Sequence, residues 1–173
     1  SIAACHGVGV DEQTALAGMA KVTQVPGRME FIDLGQPFHV VVDFAHTAQA
    51  FEAIFDSARK MVGRTNKVIA VYGSAGGRDP GRRQMIGELA GRMIDYSVLT
   101  TDDPRKEDPK KIADEIISAL KERGKREDDD YEFVKDRGEA IKRGVELATE
   151  GDIVLTLSMG DYEVMYVGSG KVK

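Results

Sequence analysis

Apolar residues along the chain follow two spacings, one typical of helices and the other typical of buried strands. Repeats at three and four residues predict helices, whereas short runs of apolar and β-branched residues predict strands. The predicted helices cover residues 11–22, 47–61, 85–93, 109–120 and 136–148. The predicted strands cover residues 29–33, 38–44, 67–72, 96–100, 131–134 and 152–157. Strands and helices therefore alternate along most of the chain.

This alternation predicts an α/β fold. Residues 34–37 separate the first two strands with a glycine and a proline, so we expect a hairpin there. The later strands alternate with helices, which predicts a Rossmann-like three-layer domain with a mostly parallel, mixed sheet. Ligands bind beyond the carboxyl ends of such strands, so the loops after Phe44, Tyr72, Thr100 and Leu157 should share one rim.

Composition narrows the classes of function. The 173 residues carry a net charge of −5, with a pI near 5.3, which gives no broad positive field for nucleic acid. Cys5 is the single cysteine and no Cys/His cluster has metal-ligand spacing, so we expect neither a disulfide nor a metal site. No apolar run is long enough to span a membrane, and we expect a cytoplasmic protein that binds small molecules. Ser1 follows no methionine, so we also expect the natural chain to begin upstream.

The first candidate site is Asp43-Phe44-Ala45-His46-Thr47, where a strand passes into a helix. Backbone N–H groups at the start of a helix bind anions, so a phosphate could lie here with His46 as an additional donor. Asp43 could accept hydrogen bonds from ribose hydroxyls. The alternative is that Asp43 or Thr47 only caps the helix and that His46 is a surface residue.

The second candidate site is the glycine-rich segment GSAGGRD at residues 73–79. Its glycines allow a ligand to approach the backbone, and Arg78 can make a two-pronged contact with a carboxylate or phosphate. The segment matches neither the P-loop pattern nor the dinucleotide fingerprint. A tight turn without a ligand is the alternative.

The third candidate site, Thr101-Asp102-Asp103-Pro104-Arg105, also follows a strand directly. Arg105 suits a carboxylate and the two acids suit an ammonium group, and together these groups could bind a free amino acid. A capped loop before the helix that begins near residue 109 is the alternative.

Four segments, in the order in which they occur along the chain, resemble the C-terminal domain of the Mur ligase family. They are VPGRME at residues 25–30, DFAHT at 43–47, GGRD at 76–79 and DDPR at 102–105. The resemblance covers nearly all of residues 5–157, and the branch that makes the UDP-MurNAc-tripeptide is the most similar. It implies that residues 1–24 are a helix from the end of a central ATP-binding domain with its linker. Residues 25–173 would then be the C-terminal, amino-acid-binding domain.

The resemblance implies an ATP-dependent ligase that adds an amino acid to a UDP-MurNAc-peptide in peptidoglycan synthesis. Mg²⁺ would be held mainly by the central domain, which this chain lacks, so the fragment alone should be inactive and carry no catalytic residue. ATP would contact Arg28, Asp43 and His46. The amino acid would contact Arg78, Asp102, Asp103, Pro104, Arg105 and Gly160. The family's chemistry passes through an acyl phosphate, for which positioning and charge stabilisation dominate.

The resemblance also bears on the amino acid. Arg105 stands where members that use meso-diaminopimelate carry arginine, so it implies that substrate. However, Asp103 replaces the usual asparagine and Ala48 replaces a proline. The chain could therefore be a divergent paralogue that accepts another amino acid or has altered catalysis.

A third departure lies at residues 158–162, where SMGDY replaces Gly-Lys-Gly-His-Glu. The family's glutamate helps to bind the distal ammonium of diaminopimelate, and Tyr162 carries no negative charge at neutral pH. Asp161 or Glu163 could substitute, although a strand residue shifted by one position points to the other face.

Two other functions remain open at this stage. One is a ligase domain of the folylpolyglutamate or cyanophycin synthetase kind, which would add an amino acid to another carboxylate. The other is a free-standing regulator that binds a nucleotide or an amino acid. A reading frame upstream of Ser1 that encodes a P-loop would favour the ligase, whereas a start codon near Ser1 would favour the regulator.

Overall fold

A computed structural model describes residues 2–162, 164–168 and 170–172 of the chain. The described helices are α1 Ile2–Gly7, α2 Glu12–Met19, α3 Ala48–Val62, α4 Gly81–Met93, α5 Pro109–Glu122 and α6 Arg137–Leu147. The described strands are β1 Glu30–Ile32, β2 His39–Val42, β3 Val68–Tyr72, β4 Tyr96–Leu99, β5 Tyr131–Phe133, β6 Ile153–Thr156, β7 Met165–Val167 and β8 Gly170–Val172.

Six strands form one sheet in the order β1-β2-β6-β3-β4-β5. Only β1 runs antiparallel, in the predicted hairpin with β2, and every other pair in this sheet is parallel. The prediction of a mostly parallel, mixed sheet is therefore confirmed. Because β6 lies between β2 and β3, the carboxyl ends of β2, β6, β3 and β4 are neighbours along one edge. Four loops are brought together there.

The core has two faces, because β3 is buried on both sides. Ala70 and Tyr72 belong to the cluster that includes residues of α3, α4 and α5, whereas Ile69 and Val71 belong to the cluster that includes Ala140 of α6. Helices cover both faces of the sheet, which gives the predicted three layers. All five residues of β3 are buried, consistent with their continuous apolar run.

Local capping explains where most helices begin. The side chain of Thr47 accepts a hydrogen bond from the Ala50 N–H at 3.2 Å, and Asp136 accepts from Glu139 N–H at 2.9 Å. Asp108 caps α5, whose first residue is the predicted Pro109. Helix α4 begins four residues before the predicted residue 85.

The two ends of the chain differ from the sequence-based expectation. The helix predicted over residues 11–22 is present but shorter, as α2, and the unpredicted helix α1 precedes it; only Ala15 of these two helices is buried. Leu16 and Met19 share a helical face, but both are nearly half exposed. The hairpin of β7 and β8 was not predicted, because its strands have three residues each and little apolar pattern.

Candidate functional site

The loops at the carboxyl edge enclose a cavity of about 390 Å³, within the size range of small-molecule sites. Five of the predicted site residues line it: His46, Arg78, Asp102, Asp103 and Arg105. The expectation that separate loops share one rim is therefore confirmed for the segments after β2, β3, β4 and β6. Cationic and anionic side chains face the same hollow, an arrangement that suits a zwitterion.

Glycines let the loops after β3 and β4 approach each other closely. A Cβ on Gly73 would overlap the carbonyl oxygen of Thr100, and a Cβ on Gly76 would overlap that of Pro104. The Gly76 N–H donates to the carbonyl oxygen of Asp103 at 2.9 Å. These two glycines of residues 73–79 therefore bring together two loops of the chain itself.

Asp102 is the most deeply buried acid of the cavity, with 7% of its surface exposed. Its carboxylate accepts no hydrogen bond from the residues that the structure describes. Burial, with a smaller contribution from Asp103, raises the pKa of Asp102, whereas Arg137, Arg82 and His46 lower it, and the net effect is a pKa of about 6. An ammonium group would offset the cost of this buried charge.

Asp103 and Arg105 both have left-handed backbones, with φ of 32° and 53°. An oxygen of Asp103 accepts from the Tyr166 N–H at 2.5 Å, and the Arg105 N–H donates to the Tyr166 carbonyl at 2.8 Å. Strand β7 thus pairs with this loop. The Arg105 side chain passes over Gly77, where an added Cβ would lie 3.6 Å from its Cδ.

Two arginines near Asp102 were not among the predicted site residues. Arg82 lines the same cavity, and one of its Nη atoms donates to Ser74 Oγ at 3.5 Å. Burial lowers the pKa of Arg82, and Asp102 raises it. An Nη atom of Arg137 donates to the Leu157 carbonyl at 2.6 Å, and burial likewise lowers its pKa. The segment DRGEAI at residues 136–141 also resembles the Mur ligase family, but the sequence did not show that Arg137 lies near Asp102, 35 residues earlier.

The residues predicted to contact ATP meet around Phe44. The Arg28 guanidinium lies 4.6 Å from the centre of the Phe44 ring, and the His46 ring lies 4.8 Å from it. A guanidinium and an imidazole beside the start of α3 fit a phosphate group. His46 alone of the three predicted contacts lines the cavity, while Arg28 and Asp43 lie outside its lining.

Asp43 has a local structural role. One of its oxygens accepts from the Met29 N–H at 2.8 Å, and the other accepts from the Ala45 N–H at 2.7 Å. Asp43 thereby ties residues 28–29 to the start of the loop before α3. The cap of α3 itself is Thr47, so of the two capping residues considered from sequence only Thr47 has that role.

A second, larger cavity of about 760 Å³ adjoins the first. Pro104 and Gly160, both predicted to contact the amino acid, line this cavity and not the smaller one. Met159 and Tyr162 line both cavities. The two cavities therefore meet at these side chains, and the predicted residues are divided between them.

Residues 158–162 form a turn and not a strand. Ser158 has a φ of 82° and Gly160 a φ of 54°, so the alternation of faces along a strand does not apply here, contrary to the sequence-based argument. An added Cβ on Gly160 would lie 3.1 Å from the Gly27 carbonyl, which explains the need for glycine. The Tyr162 ring meets Phe44 edge-on at 4.9 Å. Glu163 lies outside the described residues.

The described residues include neither a metal-binding cluster nor a membrane-spanning helix. No group of three or more His, Cys, Asp and Glu side chains there could hold a metal ion. None of the helices in residues 2–162 is both long and apolar enough to cross a membrane.

Comparison with known proteins gives one consistent family. Residues 27–160 match the family described as "Mur ligase, glutamate ligase domain". The UDP-N-acetylmuramyl-tripeptide synthetase of Roseiflexus sp. (strain RS-1) is 44% identical over 152 residues, which are 88% of this chain and 30% of that protein.

Solved structures agree with this match. A UDP-N-acetylmuramoyl-L-alanyl-D-glutamate--2,6-diaminopimelate ligase superposes with a TM-score of 0.73 and 30% identity, covering 98% of this chain and 34% of that one. A bifunctional folylpolyglutamate synthase/dihydrofolate synthase from Yersinia pestis has a TM-score of 0.62 at 15% identity, covering 86% of this chain and 32% of that one. The latter likeness shows a shared fold alone.

Proposed function

We propose that this chain, which belongs to the Mur ligase family, is the amino-acid-binding domain of an ATP-dependent ligase. The chain spans about a third of the length of the relatives it matches. The complete enzyme would add an amino acid to a UDP-MurNAc-peptide during peptidoglycan synthesis. Residues 1–24 would belong to the end of the preceding ATP-binding domain. Residues 2–24, the described part of this segment, contribute nothing to the two core clusters of the sheet domain.

The observation that supports this proposal is the mixed charge of the smaller cavity. Arg78 and Arg105 offer guanidinium groups to a carboxylate, and Asp102 offers a buried carboxylate to an ammonium group. Arginine binds a carboxylate through two parallel hydrogen bonds, which fixes the direction of the ligand as well as its charge. A free amino acid is the small molecule that satisfies both sets of groups.

ATP would lie beside the Arg28, Phe44 and His46 cluster, between this domain and the missing one. When bound, it supplies the phosphoryl group that activates the carboxylate of the precursor. Arg28 and His46 would bind and orient its phosphates, and Asp43 would act by holding the backbone on which Arg28 and His46 stand. Mg²⁺ would be held mainly by the missing domain.

Residues of both cavities indicate which amino acid could be added. Arg105 is consistent with a second carboxylate, as in meso-diaminopimelate, and several relatives are 2,6-diaminopimelate ligases by name. Met159 and Tyr162 stand at the junction of the cavities without offering a charge to a distal ammonium. We propose meso-diaminopimelate as the first substrate to test, with lysine as the second.

The folylpolyglutamate alternative has less support. The folylpolyglutamate synthase resembles this chain in fold at 15% identity. The tripeptide synthetase instead matches 88% of this chain in sequence, at 44% identity. A free-standing regulator would require that no ATP-binding domain precede this chain, and the upstream reading frame tests that directly.

The test of the proposal joins this chain to the ATP-binding domain that precedes it and measures ADP release. We expect ADP release to depend on the amino acid. Arg105→Ala should raise the amino-acid KM by roughly tenfold or more, as expected for one lost charged contact, with little change in the KM for ATP. Lys106→Ala is the matched control, because Lys106 is the exposed neighbour and lies outside the smaller cavity. An unchanged amino-acid KM in Arg105→Ala would remove Arg105 from the site.

A further inference from the structure

Arg83, in α4, is a charged side chain with only 1% of its surface exposed. It does not line either cavity of the site. Its two Nη atoms donate to both carboxylate oxygens of Glu107, at 3.0 and 3.1 Å. They also donate to Glu115 at 2.8 Å and to the carbonyl oxygen of Ala75 at 3.3 Å. One guanidinium therefore contacts the loop after β3, the loop after β4 and helix α5.

Glu107 continues this contact toward the site. Its Oε1 atom, which accepts from Nη2 of Arg83, also accepts from the Gly77 N–H at 2.5 Å. Gly77 lies directly before Arg78, and Glu107 lies two residues after Arg105. The Arg83–Glu107 pair thus joins the backbones that carry the two arginines of the cavity.

The charges explain why this arrangement is stable. Burial lowers the pKa of Arg83, but the hydrogen bonds that Arg83 donates to Glu107 and Glu115, together with the charges of the two carboxylates, raise it above its ordinary value. The Arg83 hydrogen bond lowers the pKa of Glu107, and the Gly77 N–H lowers it further. Only Arg83 is fully buried, and each carboxylate is about one-third exposed, so separating Arg83 from both glutamates would leave a buried charge without a partner.

We propose that Arg83 and Glu107 are positioning residues, which hold Arg78 and Arg105 at the separation that the carboxylate of the amino acid requires. The inference rests on the proposed function, because it assigns a purpose to a contact between loops of the amino-acid site. The pair contacts both loops at once, because Glu107 accepts from the Gly77 N–H beside Arg78 while it lies in the loop that carries Arg105.

Glu107→Gln and Glu115→Gln form a matched pair for the test. Each removes one carboxylate from Arg83, but only Glu107 reaches the Gly77 N–H, and both side chains are about one-third exposed. Binding of meso-diaminopimelate and of lysine to this chain is measured by calorimetry, and exchange of the Gly77 amide hydrogen by NMR. We expect Glu107→Gln to weaken binding by about tenfold and to accelerate Gly77 exchange by a similar factor. Glu115→Gln should change both by less than twofold, although both variants should lower the Tm.

A third variant distinguishes a positioning role of Arg83 from a general folding defect. Arg83→Lys keeps the positive charge but cannot span both oxygens of Glu107 and the Ala75 carbonyl, so we expect binding between that of the wild type and Glu107→Gln. Equal effects of the two glutamine variants, or full affinity in Arg83→Lys, would overturn the proposal. If the wild-type chain binds neither amino acid, the proposed function fails instead. The positioning contact is then decided by Gly77 exchange alone, and equal exchange in both glutamine variants would refute it.

Discussion

At the scale of single residues, Asp102 shows how a binding group can oppose folding. Its folded pKa of about 6 lies above the ordinary value of 3.8, so the folded state binds the proton more tightly than the unfolded chain does. The free energy of unfolding should therefore rise as the pH falls from about 6 to about 4, and the full cost of the charge is present at neutral pH. That cost is at most about 3 kcal/mol, at 1.36 kcal/mol per unit of pKa.

Asp102→Asn should thus stabilise the chain at neutral pH, by roughly 1–3 kcal/mol, while weakening amino-acid binding. Thermal unfolding at pH 7.5 should give a higher Tm than the wild type, and most of the difference should be lost near pH 4, where Asp102 is protonated in the folded state. Glu122→Gln, at an exposed position of α5, is the control and should leave the Tm unchanged at both values. A lower Tm of Asp102→Asn at pH 7.5 would mean that the charge is already compensated within the chain.

At the scale of elements, the contact between α4 and α5 determines where Arg83 lies. A Cβ on Gly87 would lie 2.5 Å from the Ile116 carbonyl oxygen and 2.7 Å from the Cβ of Ala119, so the two helices meet backbone to backbone. Gly87→Ala should destabilise the fold by about 1–3 kcal/mol despite the better helix propensity of alanine. Gly18→Ala, in α2 with open space around it, should stabilise by up to about 1 kcal/mol. Chemical denaturation measures both, and stabilisation by Gly87→Ala would show that the helices can separate without cost.

Helix starts could be predicted from the sequence, whereas the buried ion pairs of Arg83 could not. The caps at Thr47, Asp108 and Asp136 are local signals, and the helices that they begin were predicted. Arg83 was missed because its partners lie 24 and 32 residues away in sequence. One local signal was available, since Arg83 shares a helical face with the buried Ile86, Gly87 and Ala90. A charge within an apolar stripe indicates a buried ion pair.

At the scale of the whole molecule, strand order creates the site. The final strand of the large sheet, β6, pairs with both β2 and β3, so residues 158–162 arrive between loops that precede them by more than fifty residues. The sequence predicted that the loops share one edge, because parallel strands present their carboxyl ends together. It could not predict the turn at Ser158 and Gly160, or the division of the predicted residues between two cavities, since both depend on side-chain packing between distant segments.

Binding of an amino acid by these loops can be observed residue by residue in a map of amide chemical shifts. The ¹⁵N-labelled chain is titrated with meso-diaminopimelate, followed by the same titration with lysine. The account predicts saturable shifts concentrated in residues 73–78, 101–105 and 158–162, with α1 and α2 unaffected. Shifts that do not saturate, or that lie away from these three loops, would contradict the account.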